Sequence, residues 1–170
     1  MNNIDNDKPY DYGEIVPYLV DWYEANARIL PWRLESTPYH VWISEIMLQQ
    51  TRVEAVRGYY DRFLTALPTI EDLANASEEV LLKLWEGLGY YSRVRNLQKA
   101  AKVVVAEYGG KLPASYEELL KLPGIGSYTA GAIASIAYGI PVAAVDGNVL
   151  RIAKRLSGSF DDITKASVKK

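Results

Sequence analysis

Two carboxylates and one glycine-bearing turn are the residues of this sequence best placed to do chemistry. The turn is Pro123-Gly124-Ile125-Gly126, inside the stretch LLKLPGIGSYTAGAIASIAYGIPVAAVDGN that runs from Leu119 to Asn148. A helix capped by Ser115 and ending at Leu122 is predicted before it. A second helix, over 127–138, restarts at Ser127 with small residues. Glycine at 124 and 126 admits positive φ and the close approach of a phosphate, with Ile125 packed inward between them. The first amides of the second helix can then hold that phosphate. An ordinary turn between two helices is the competing reading. The run Ser127-Tyr128-Thr129-Ala130-Gly131-Ala132 tips the balance, because small side chains let helices pack closely while the amides stay exposed.

The first carboxylate, Asp146, lies in an Asp-Gly-Asn turn and by itself reads as the N-cap of a helix from 147 to about 156. The amides of that helix favour its charged form. The second, Glu45, sits mid-helix among Trp42, Ile43, Ile46 and Met47, with Val41 and Leu48 on its own face. A carboxyl in so apolar a segment is expected to have a raised pKa and to stay protonated near neutral pH. A structural glutamate paired with Arg52 or Arg33 is the alternative. One acid kept protonated and one kept ionised suit cleavage of a glycosidic bond through an oxocarbenium-like transition state. Gln49-Gln50-Thr51 interrupts the apolar stripe just after Glu45 and suggests a lined pocket or a ligand surface. His40, the single histidine, reads as a surface or capping residue near a helix start. The sequence therefore offers no nucleophilic triad, and it shows no metal-ligand constellation.

The elements that must position these residues are read as helices throughout, and the fold class expected is all-α. Segment 12–28 carries Ile15, Leu19, Trp22 and Tyr23 as a helical stripe. Leu30-Pro31-Trp32-Arg33 is predicted as a loop. Pro38 opens a long helix over 38–64 with Trp42, Ile46, Val53, Val56, Tyr60 and Phe63 at helical spacing. Thr69 and Ser77 cap two further helices, the second ending near Trp85. Gly87 and Gly89 bracket a turn, and a helix over 92–108 is stopped by Gly109-Gly110. Residues 1–11 are expected to be disordered, and the polar tail from Ser157 has no evident core partner.

Composition bounds the function classes. With 170 residues, 49% hydrophobic and 24% charged, the chain can bury one sizeable core, or one core and part of a second. The absence of cysteine excludes disulfides and thiolate metal sites within this chain. It has neither a bilayer-spanning apolar run nor a signal-peptide start, so a cytoplasmic protein without membrane contact is expected. The net charge of -2 is uneven: residues 1–24 hold six acids against the single base Lys8, which leaves +3 on the rest. Two basic clusters stand out, Arg93, Arg95, Lys99 and Lys102, then Arg151, Lys154 and Arg155. Each alone reads as a solvated helix face.

LPGIGSYTAGAI followed by VDGN resembles the helix-hairpin-helix DNA glycosylase superfamily. LPWR, PYHVWISEIMLQQT, LWEGLGYYSRVRNL and AAVDGNVLRI resemble, more specifically, the adenine DNA glycosylase family of the MutY type. The matches span about residues 28 to 156 in order. The resemblance implies a monofunctional base-excision repair enzyme that hydrolyses the N-glycosidic bond of adenine mispaired with 8-oxoguanine or guanine, flipping the nucleotide from the duplex. It gives Glu45 as the general acid at adenine N7 and Asp146 as the carboxylate facing the sugar cation. Asn148 joins the catalytic cluster by hydrogen bonding. Tyr128 occupies the position where lyase-type relatives carry a Schiff-base lysine. Gln50 and Tyr90 match residues that fill and wedge the duplex, and Thr51 and Leu88 lie close to the opposite base. Trp32 and Arg33 match the wall of the adenine pocket. Gly124, Gly126 and Ser127 belong to the DNA-gripping hairpin.

The implied fold is a six-helix, barrel-like domain over 29–140, including the hairpin unit 115–138. The helix 12–28 belongs to a second, incomplete lobe, and 141–170 forms the aspartate loop, its helix and a truncated tail. The family carries, further along, a C-x6-C-x2-C-x5-C iron–sulfur site and a C-terminal domain that helps to recognise 8-oxoguanine. No cofactor is expected in this cysteine-free chain, and the stripe of helix 12–28 is expected to be partly exposed. The partner implied is double-stranded DNA with an A:8-oxoguanine or A:G mismatch, bound by a monomer in a bacterial cytosol or nucleoid. A thymine–guanine mismatch glycosylase and a non-catalytic DNA-binding fragment are the alternatives. Tyr128 and Glu45 argue against an endonuclease III-like lyase.

Overall fold

A computed structural model describes residues 12–158. Among the described residues every regular element is helical. A 3-10 turn (Tyr12–Ile15) leads into α1 (Val16–Asn26), α2 (Pro31–Leu34), α3 (Pro38–Leu48), α4 (Val53–Ala66), α5 (Ile70–Asn75) and α6 (Glu78–Trp85). Then come α7 (Ser92–Tyr108), α8 (Tyr116–Leu119), α9 (Ser127–Ala132), a π-helical turn (Ile133–Ala137) and α10 (Gly147–Ser157). The chain divides into two compact units, the continuous run Ile29–Ala144 and a second made of Met1–Arg28 with Val145–Lys170.

Side-chain caps set the helix starts of the larger unit. Thr37 accepts the His40 amide at the head of α3, where Pro38 sits in a first turn that does not need its missing N–H. Thr69 and Asp72 close a reciprocal capping box on α5. Ser77 and Ser115 cap α6 and α8, and Gly109 ends α7 in the left-handed conformation.

The core of this unit is built on Trp42, Phe63, Leu73, Trp85, Leu97, Leu119 and Ile133, all fully buried. Each contributes about 1.5–3 kcal/mol by leaving water. α7 presents Val94, Leu97, Ala100, Ala101 and Val104 on one face, and α5 lies along that helix. α3 packs on α4, on α9 and on the π-helical turn. In the second unit, α1 and α10 bury no residue. The stripe residues Leu19, Trp22 and Tyr23 are exposed, as are Val149 and Ile152.

Several local expectations are corrected. Leu30-Pro31-Trp32-Arg33 is not a plain loop: Pro31 starts the one-turn helix α2, anchored by buried Trp32, a run too short to show a period. The helix expected over 38–64 is two helices, α3 and α4, broken at Gln49–Arg52. The apolar spacing persists across the break, so periodicity conceals it, and the polar trio marks it. The first hairpin helix ends as α at Leu119 and tightens into i→i+3 bonds up to Leu122. The second is α-helical only to Ala132. Gly126 has φ −92° and serves as an extended N-cap, so of the two hairpin glycines only Gly124, at φ 76°, uses the left-handed region. Residues 1–11, and the tail beyond Gly158, lie outside the described residues.

Candidate active site and nucleic-acid interface

The hairpin is held tightly on its inner side. A Cβ at Gly124 would lie 2.7 Å from Asn96 Cβ on α7, so both the positive φ and the close approach require glycine there. Ile125 is buried, while Gly126 and Ser127 are exposed, which leaves the start of α9 facing solvent. Behind that face, Thr129, Ala130, Gly131 and Ala132 are buried. Gly131 meets the returning chain directly: a Cβ on it would stand 2.5 Å from the Ala143 carbonyl oxygen and 3.1 Å from Ala144 Cα. Ser135 Oγ donates to the Gly131 carbonyl at 2.7 Å, inside the turn that widens into a π-helix.

Two residues beyond that contact, Asp146 caps α10. Its Oδ1 accepts the amides of Asn148 and Val149 at 2.9 and 2.8 Å, and its Oδ2 accepts Asn148 Nδ2 at 2.8 Å. Arg151 donates in turn to Asn148 Oδ1. The carboxylate is thus fixed by three N–H donors from its own turn.

Glu45 is half-buried on α3, between buried Trp42 and Ile46. Tyr128 is half-buried in the first turn of α9, and α3 and α9 pack together, so these two sequence-predicted residues come from neighbouring helices of one unit. Asp146 and Asn148 belong to the other unit. Trp32 is buried edge-on against Tyr60, ring centroids 5.4 Å apart, with Arg33 exposed beside it. His40 is half-buried, with Nδ1 3.7 Å from the Glu35 carboxylate.

The break between α3 and α4 and the loop before α7 share an unusual backbone. Gln50 (φ 56°) and Tyr90 (φ 47°) are the two non-glycine residues at positive φ among the described residues. Each conformation costs about 1 kcal/mol or more for an L-residue. Both side chains are exposed, Tyr90 to 65%. Thr51 is half-buried, and Leu88 is buried at 7% with its side chain in the core.

Arg93 is the residue that sequence reasoning misplaced. Taken as part of a solvated basic face, it is instead buried at 9%. Its Nη1 donates to the carbonyls of Ile46, Met47 and Gln49 at 2.9, 3.0 and 2.6 Å. Its Nη2 donates to the carbonyls of Leu88 and Gly89 at 2.9 and 3.1 Å and, more weakly, to Thr51 Oγ1 at 3.4 Å. Burial lowers its pKa from the usual arginine value, against an opposing pull from Tyr90. The overlooked signal is positional: Arg93 stands one turn before Leu97 on the stripe that continues through Ala101 and Val104. Arg95, by contrast, pairs with Glu78 at 2.9 Å on the surface, and Lys99 and Lys102 are exposed.

A family model described as HhH-GPD superfamily base excision DNA repair protein matches residues 43–170. The adenine DNA glycosylase of Rattus norvegicus is 48% identical over 159 residues, covering 88% of this chain and 31% of that protein. The adenine DNA glycosylase of Buchnera aphidicola subsp. Baizongia pistaciae is 45% identical over 138 residues, covering 81% and 39%. The chain thus spans about a third of the length of these curated relatives. Among solved structures, a thermostable thymine-DNA glycosylase superimposes with a TM-score of 0.78 at 31% identity, over 82% of this chain and 65% of that one. A non-covalent endonuclease III–DNA complex gives 0.74 at 27% identity, over 89% and 72%. The iron–sulfur cluster that the resemblance attaches to the family needs four thiolates. The 170 residues contain no cysteine, and among the described residues no three His, Cys, Asp or Glu side chains converge as a metal site. The residues of this chain do not fit that group.

Proposed function

The chain belongs to the HhH-GPD superfamily of base excision DNA repair proteins, and from that premise we propose that it binds mismatched duplex DNA and excises adenine opposite 8-oxoguanine or guanine. What supports the reading most directly is the pair Gln50 and Tyr90, two exposed side chains held in left-handed backbone at the tips of neighbouring turns. Side chains so presented suit insertion into a duplex from which one nucleotide has been extruded. The exposed start of α9 and the Gly124 turn supply backbone amides for the phosphates.

In the proposed reaction Glu45, in its largely apolar segment, donates a proton to adenine N7. The bond from C1′ to N9 breaks with its electron pair leaving on the base, and Asp146 faces the resulting sugar cation as a carboxylate. Water then adds to C1′ and gives up a proton to Glu45, which restores the acid. Tyr128 offers no amine for a Schiff base, so the product is an abasic site without strand cleavage. The 45–48% identity to adenine DNA glycosylases favours adenine. The similarity to a thymine-DNA glycosylase structure keeps thymine opposite guanine as the second reading.

The test is incubation with duplexes carrying A:8-oxoguanine, A:G or T:G, followed by alkali. Breaks at adenine alone support the proposal, and breaks at thymine replace it with the second reading. Binding without breaks reduces the chain to a DNA-binding fragment. Glu45→Gln is expected to lower excision by at least 10³-fold, on the order of what general acid catalysis supplies, while binding changes little. Excision at the parental rate would refute the assignment of the acid.

A further inference from the structure

We propose that Arg93 is a positioning residue that sets the two duplex-inserting side chains, Gln50 and Tyr90, as one unit. The inference rests on the DNA-binding reading above and adds a mechanism to it. The carbonyl immediately before Gln50 is that of Gln49, and the carbonyl immediately before Tyr90 is that of Gly89. Arg93 holds both, at 2.6 and 3.1 Å. A carbonyl held by the guanidinium orients the planar peptide group that precedes each residue, which is one of the two sides that define its φ, so both left-handed turns are braced from the same side chain. The same guanidinium grips Ile46 and Met47 at the end of α3 and Leu88 at the start of the second turn. Among the described residues Arg93 forms no ion pair, so its charge is offset by carbonyl dipoles drawn from both turns. Its guanidinium carbon lies 5.8 Å from the Tyr90 ring centroid and 5.3 Å from that of Trp85, whose Nε1 also donates to the Gly89 carbonyl at 3.1 Å.

Only the planar fork of arginine reaches two separate turns at once. Lysine keeps the charge but is a point donor with three protons, so it can serve one turn or the other. Arg93 is expected to act through Gln50 and Tyr90 and not through contact with DNA, since its side chain is buried.

The experiment compares the full chain with Arg93→Lys, Tyr90→Ala and the double variant. The probes are a fully paired duplex and one carrying 2′-fluoroadenosine opposite 8-oxoguanine, whose fluorine slows glycosidic cleavage by opposing cation formation. Arg93→Lys is expected to reduce the preference for the mismatch at least tenfold, while binding to paired DNA changes less than threefold. Tyr90→Ala is expected to lose a similar factor, and the double variant little more than either single one. A folded Arg93→Lys protein that keeps its preference within twofold would overturn the proposal, as would effects that multiply. Hydrogen exchange provides a readout that does not depend on DNA. The Thr51 and Leu88 amides, bonded to the Leu48 and Trp85 carbonyls, should exchange at least tenfold faster together in Arg93→Lys, and acceleration at one turn only would refute the coupling. If Arg93→Lys does not fold, those two amides in the parent protein should open with the same denaturant dependence, and different dependences would refute it. A parent chain that shows no mismatch preference at all sinks the DNA reading, and the exchange data then decide the clamp separately.

Discussion

Replacing Gly131 by alanine sets two opposing terms against each other, and the structure says which should win. Gly131 lies within α9, so on propensity alone alanine would stabilise the chain by about 0.8–1.0 kcal/mol. The added Cβ would, however, stand 2.5 Å from the Ala143 carbonyl oxygen and 3.1 Å from Ala144 Cα, where ordinary contact begins at 3.4 Å. Both obstacles are backbone, so the segment must move by about 0.9 Å, which is 3.4 less 2.5. Overpacking of this kind costs about 1–3 kcal/mol. The net is a loss of up to about 2 kcal/mol, which lowers Tm by roughly 2–4 °C per kcal/mol for a chain of this size. Gly58→Ala is the matched control: that glycine is exposed in α4 and its Cβ would meet only the flexible end of Arg62, at 3.6 Å. It should gain about 0.5–1 kcal/mol from the propensity term alone. On the proposed mechanism, because Ala143-Ala144 lead straight into Asp146, a displacement near 1 Å should also slow single-turnover excision on the order of 10²-fold in Gly131→Ala. The assay is a circular-dichroism melt of both variants alongside excision of adenine opposite 8-oxoguanine. A Gly131→Ala protein that melts as high as Gly58→Ala and excises at the parental rate would refute the close approach and its consequence together.

Asp146→Asn largely separates capping from chemistry: asparagine keeps one oxygen for the Asn148 and Val149 amides but sets an NH2 against Asn148 Nδ2 and removes the charge at the helix N-terminus. A loss of about 1 kcal/mol, roughly 2–4 °C in Tm, is expected, whereas excision should fall by orders of magnitude, and parental excision would remove Asp146 from the mechanism. Alkaline stability tests the buried phenols. Burial above all, then Asp72, raises the pKa of Tyr39, whose hydroxyl donates to the Leu67 carbonyl at 2.9 Å. Burial likewise raises that of Tyr60. Both folded values lie above the ordinary 10.0, so their contribution is complete below about pH 10 and is lost as pH rises from there towards the folded values. Urea midpoints should therefore drop between pH 9 and pH 11, and an unchanged midpoint would contradict the burial of these hydroxyls.

Capping chemistry made most helix starts legible from sequence, because a hydroxyl or carboxylate at Thr69, Ser77, Ser115 or Asp146 satisfies local amides whatever the tertiary context. Breaks that preserve the apolar phase were not legible in the same way: Val53 and Val56 continue the stripe of Trp42 and Ile46 across a turn that only Gln49-Gln50-Thr51 betrays. The all-α class was readable from period alone. The π-helical turn after Ala132 was not, and neither was the close approach of Ala143 to Gly131, since no local residue pattern announces either. Among the site residues, Asp146 advertised its role as a cap, and Gly124 its turn. Arg93 was hidden by its neighbours Arg95, Lys99 and Lys102, which share its charge but not its face of α7.

The left-handed backbone at Gln50 and Tyr90 sets stability against usefulness at the same two positions. Glycine would occupy either φ without steric cost and relieve about 1 kcal/mol at each, yet it would remove the side chains proposed to enter the duplex. Selection for heat resistance alone would drive both positions towards glycine, and engineering guided only by melting temperature would accept those changes. On the function proposed above, a variant improved in that way would be firmer and blind to the mismatch.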